Sequence, residues 1–83
     1  MNARIGDLAV GQFDDSTQVC VVTGRYKSEM KFVYWTRHGR GTIGITDTLP
    51  KNRVHRVMPK HNPHKPWDGQ LSSLTVDDVE MVN

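Results

Sequence analysis

The chain has 83 residues, 36% of them apolar, which suits one domain with a thin core and excludes a deep, multi-step catalytic cleft. One cysteine, Cys20, excludes an internal disulfide framework, and no apolar run approaches the roughly 20 residues of a membrane helix. The net charge of +2 hides a segregation: residues 24–66 hold ten of the 11 Lys and Arg residues, whereas seven of the nine acids lie outside that stretch.

Ten valines, three isoleucines and seven threonines stand against two alanines and four leucines, a balance that favours strands. Ile5 to Val10 reads as a first strand with Leu8 and Val10 on one face, between Gly6 and Gly11. Gln12 to Thr17 is a polar loop. Val19 to Thr23 is a β-branched run broken only by Cys20, as expected of a strand covered on both faces. Gly24 to Glu29 is a charged connection. Lys31 to Thr36 is a third strand, whose alternation pairs Val33 with Trp35 and Phe32 with Tyr34. A glycine-bearing turn over 37–41 then leads into a returning strand, Thr42 to Thr46, with Ile43 and Ile45 inward.

Beyond Asp47 the pattern weakens. Arg53 to Met58 reads as a short strand. Pro59, Pro63 and Pro66 exclude helix and central strand and mark 59–73 as an extended, Pro- and His-containing excursion pinned by Trp67. Thr75 and Asp78 have capping-box spacing, so a helical turn is expected there, followed by a last strand at 79–82.

This order of parts resembles SH3-like small β-barrels of the KOW and Tudor type, as found in short bacterial and phage-encoded barrel proteins. The residues that carry the likeness are the Ile5-Gly6-Asp7-Leu8 opening, the Phe32-Val33-Tyr34-Trp35 strand with its glycine turn, and the closing segment 75–82. The resemblance implies an all-β barrel of about five strands with a long loop at 46–73. A helical turn would precede a final strand that closes on the first.

No constellation points to catalysis. Cys20 sits among valines, where burial keeps a thiol inert. The pairs Asp14-Asp15 and Asp77-Asp78 are turn and capping residues. His55, His61 and His64 do not make a zinc set with one buried cysteine, so neither metal nor cofactor is expected. The sharper signal is the basic middle. Arg37, His38 and Arg40 surround the hairpin turn. Arg25, Lys27 and Lys31 interleave with Tyr26, Phe32 and Tyr34, and Arg53 and Arg56 follow. Lys and Arg of this kind hold phosphates, and aromatics beside them stack on bases. With Val33 and Trp35 in the core, Phe32 and Tyr34 face outward, either to stack or to pack beneath the long loop.

The expectation is a non-enzymatic module that binds nucleic acid through the basic middle and has no membrane segment. The rival reading is a small regulator or inhibitor, a phage accessory protein for example, docking on an acidic patch of a host or cellular protein. Homo-oligomerisation is a third option, because a thin core gains most from a second copy. The opening MNARIGD lacks the apolar core of a signal peptide, so a cytoplasmic location is expected, in the host if the chain is phage-encoded.

Overall fold

The computed structural model describes residues 3–82. Six strands form one antiparallel sheet: β1 (Leu8–Gln12), β2 (Thr17–Arg25), β3 (Glu29–His38), β4 (Gly41–Pro50), β5 (Val54–Pro59) and β6 (Val79–Met81). Their order across the sheet is β4-β3-β2-β1-β5-β6. The helical pieces among the described residues are three short 3-10 turns, at Lys51–Arg53, Leu71–Ser73 and Val76–Asp78. The all-β class is as expected from the β-branched composition. No helix among these residues is long and apolar enough to cross a membrane.

The sheet curls without closing. β1 and β4 are separated by two strands, which in a flat sheet puts them about 14 Å apart. Yet a Cβ added to Gly11 of β1 would stand 3.2 Å from the Leu49 side chain of β4 and 3.5 Å from the Phe32 ring. A larger residue there would press on the end of the Leu49 side chain, so glycine suits that approach. Gly11 therefore lies inside β1 and not at its margin. Ile5-Gly6 instead forms a turn, with Gly6 at φ 90° and the Arg4 N–H donating to Asp7 Oδ2 at 2.8 Å. A bulge between Val22 and Gly24 lets β2 bend against β3.

The concave face holds the main core: Ala3, Ala9, Cys20, Val22, Met30, Phe32 and Val54, with Phe13, Tyr34 and Leu49 packed against it. A second cluster lies on the convex face, where Val19, Val57 and Val79 meet Leu8, Val10 and Leu74. β2 is thus covered on both sides, as its sequence predicts.

Several expectations are corrected. The barrel is not closed, and the last strand does not pair with the first. β1 is flanked by β2 and β5, and β6 adds outside β5. The helical turn followed by a strand against β1 is supplied by 51–59, not by 75–82. The supposed loop 46–73 is largely structured, because β4 runs on to Pro50 and β5 follows. The stretch without strand or helix shrinks to 60–70. The faces of β3 are reversed: Phe32 is fully buried, whereas Val33 and Trp35 are half-buried on the convex side. Ile43 is 44% exposed and not inward. Trp67 does not cover Phe32 or Tyr34. Its indole N–H donates to the Gln70 carbonyl at 3.2 Å and so braces its own loop.

Candidate nucleic-acid interface

Two hairpins place the basic residues. His38 pairs with Gly41 around a two-residue loop, Gly39-Arg40. Gly39 has φ 60° and Arg40 does not share that sign, the arrangement of a type II′ turn, which needs glycine first. Arg37, His38 and Arg40 are all exposed at this tip. At the far end of β3, the Tyr26 N–H donates to the Glu29 carbonyl at 2.9 Å and closes the second turn. Arg25, Lys27 and Lys31 surround it, all exposed. Along β3 the nearest members of the two groups, Lys31 and Arg37, are six residues apart, about 20 Å of extended chain. The candidate cations therefore form two clusters on one chain, not a single patch.

The remaining pair sits elsewhere and is partly neutralised. Arg53 Nη1 lies 2.6 Å from Asp14 Oδ1, and Arg56 Nε lies 3.6 Å from Asp7 Oδ2. Lys65 Nζ lies 3.3 Å from Asp78 Oδ1. Each of these ion pairs joins the basic middle to an acidic end of the chain. The fold thus mixes the charge blocks at β5 and at the 60–78 segment. Arg25, Lys27, Lys31, Arg37, Arg40, Lys51 and Lys60 make no ion pair among the described residues.

Lys51 joins the group of Arg25, Lys27 and Lys31, since its N–H donates to the Ser28 carbonyl at 3.3 Å. No sequence pattern marks that proximity, which depends on β4 returning beside the 26–28 turn. Tyr34 is not a free platform. Its ring packs edge-on against Phe13 at a centroid separation of 5.8 Å and against Phe32 at 6.3 Å. The exposed aromatic beside the cations is Tyr26, 51% exposed, which lies over Gly24 next to the Lys31 stem. A side chain at Gly24 would meet the Tyr26 hydroxyl at 3.2 Å, so the glycine makes a seat for the ring.

Other chemistry-bearing groups have structural partners. Cys20 is fully buried, and burial pushes its thiol up to about 12 despite a lowering hydrogen bond with the Gly11 backbone. It stays protonated and unreactive near neutral pH. His55 Nε2 is within 3.2 Å of Gln12 Oε1. Asn62 Oδ1 accepts from the His64 and Lys65 N–H groups at 2.9 and 3.2 Å, which folds the His61–His64 segment into a turn. Among the described residues no three His, Cys, Asp or Glu side chains gather in a metal-binding group.

A cleft of about 130 Å³ between Lys60, Lys65, Trp67, Asp77 and Asp78 has both signs of charge and no excess of cations. It does not match a phosphate surface. No family model matches the chain, and neither a curated protein nor a solved structure matches it at a significant level.

Proposed function

We propose that this protein is a non-enzymatic nucleic-acid-binding module of SH3-like build. The build is supported by the curled sheet, by the 3-10 turn before the strand that flanks β1, and by the meander from β1 to β4. The binding role rests on one observation: among the described residues six of the eight Lys and Arg outside ion pairs lie at the two turns of β3, all exposed but the half-buried Lys51, with Tyr26 beside one group. In this reading Arg37 and Arg40 hold phosphates at the tip. Arg25, Lys27, Lys31 and Lys51 hold them at the far turn, where Tyr26 stacks on a base. Arg53 and Arg56 serve the fold more than the ligand, because each already faces a carboxylate.

Titration of labelled single- and double-stranded oligonucleotides at two salt concentrations tests the reading. Replacing Arg37 and Arg40 together with Ala is expected to weaken binding of all sequences alike. The salt slope should fall by about two contacts, near 0.7–0.9 log units each. Lys65→Ala, at a residue already paired with Asp78, should change little. Absence of binding by the unaltered protein at about 50 mM salt would rule the function out.

A further inference from the structure

The two edges of the sheet are unlike. β6 offers three residues, whereas β4 offers ten, Gly41–Pro50, with no neighbouring strand on its outer side among the described residues. Proteins blunt long edges with lysines, prolines, bulges or covering segments. β4 has only one such feature inside it, the charged Asp47, whose Oδ1 accepts from the Thr48 N–H at 2.8 Å. Its register with β3 is unbroken from Glu29–Pro50 to His38–Gly41, its one proline is its last residue, and its one charged residue is Asp47. Thr42, Ile43, Gly44, Thr46 and Thr48 are all exposed.

The hairpin fixes which backbone groups are free. In a two-residue turn the flanking pair, His38–Gly41, is hydrogen-bonded, and bonded pairs alternate along an antiparallel ladder. The residues bonded to β3 are then Gly41, Ile43, Ile45, Asp47 and Leu49. The N–H and C=O groups of Thr42, Gly44, Thr46 and Thr48 point away from the sheet, the Thr48 N–H already donating to Asp47 Oδ1 at 2.8 Å. A second β4 strand can meet them only in registers that align even-numbered residues with one another. Centring the two-fold axis on Ile45 sets Ile43 against Asp47 of the other copy. Centring it on Ile43 sets Ile45 against Gly41. Centring it on Gly44 sets Ile43 against Ile45 twice, Thr42 against Thr46 twice and Gly44 against Gly44. That last register alone of the three sets Ile43 against Ile45, and it leaves Asp47 opposite Gly41.

We propose that two copies of this chain pair antiparallel through β4 about Gly44, making one continuous twelve-stranded sheet with about six new main-chain hydrogen bonds. The pairing has a consequence for the surface described above, and that consequence rests on the nucleic-acid reading. In this register Arg40 of one copy stands opposite Thr48 of the other, and Thr48 pairs with Lys31 on its own chain. Each hairpin tip, with Arg37, His38 and Arg40, is thereby joined to the second copy's Lys31, Lys51, Arg25 and Lys27. Two clusters that a single chain holds about 20 Å apart along β3 become two composite phosphate surfaces. Like charges brought together in this way oppose pairing at low salt, so a polyanion is expected to strengthen it.

Sedimentation of the full-length protein at about 150 mM salt, over micromolar to millimolar concentration, provides the test. The unaltered protein is expected to pass from monomer to dimer. Thr46→Pro removes only an outward N–H and should leave a folded monomer, with an unchanged circular dichroism spectrum. Ile43→Lys, at an exposed side chain, should abolish the dimer independently should the proline variant fail to fold. A protein monomeric at every concentration, or a dimer that survives Ile43→Lys, overturns the proposal. Adding an oligothymidylate to each variant separates the two claims. A dimer that ignores the oligonucleotide keeps the edge pairing and removes the function. Equal affinity of Ile43→Lys and the unaltered protein for it removes the composite surface alone.

Discussion

Phe32 is the largest fully buried side chain, and it touches three strands through Val22, Gly11 and Leu49. Its ring also meets Phe13 edge-on at 5.9 Å. Phe32→Ala leaves a cavity at the centre of the concave core, expected to cost about 3–5 kcal/mol, which a thin core tolerates poorly. Trp35 sits on the convex face beside an open groove with Leu71, Leu74 and Val76 and is only half-buried. Trp35→Ala should cost less, about 1–2 kcal/mol. Urea denaturation midpoints of the two variants check the order. A larger loss for Trp35 would mean that β3 presents its other face to the core. The sequence alone does not separate these alternatives. Aromatics occupy both parities of β3, so the alternation pairs Phe32 with Tyr34 and Val33 with Trp35 without saying which pair is inside. What decides is distant: the empty place left by Gly11 and the registration of Cys20 against Tyr34.

At the scale of elements, the 3-10 turn before β6 shows how little local structure is needed to aim a strand. The Asp78 carboxylate accepts from the Thr75 N–H at 3.0 Å and from Thr75 Oγ1 at 3.1 Å, with Lys65 Nζ beside it. These donors, the Thr75 backbone foremost, hold its pKa below the ordinary aspartate value of 3.8. A depressed carboxylate lends stability that is complete above its unfolded pKa and is lost as pH falls through the folded one. Asp78→Asn is therefore expected to lower the urea midpoint near pH 7. That difference should shrink as pH falls through the lowered folded pKa of Asp78 and be lost once Asp78 is itself protonated. An undiminished difference in acid would mean that the charge is not what the turn uses. This turn was legible because Thr75 and Asp78 carry their spacing in the sequence. β2, β3 and β5 were legible from their β-branched and alternating runs. The second half of β4 was not, because Thr46-Asp47-Thr48 is exposed on an edge and carries no apolar stripe. The partner of β6 was not either, since two candidate closing strands follow similar turns and only tertiary packing selects Val54–Pro59 for β1.

For the whole molecule, the charge map was readable in part. The sequence places the cations in the middle and the acids at the ends. It does not reveal that β5 brings Arg53 and Arg56 to Asp14 and Asp7 while the cations at both turns of β3 make no ion pair among the described residues. Folding therefore leaves exposed cations at both turns of β3, packs Tyr34 against Phe13 and leaves Tyr26 exposed. The most direct measurement is a two-dimensional amide spectrum of the isotope-labelled protein, titrated with a short oligothymidylate at low salt. The expected result is shifts concentrated at Arg25, Tyr26, Lys27 and Lys31 and at Arg37, His38 and Arg40, with Lys65 to Ser73 unmoved. Shifts confined to the cleft around Trp67 and Asp77, or none at all, would contradict it.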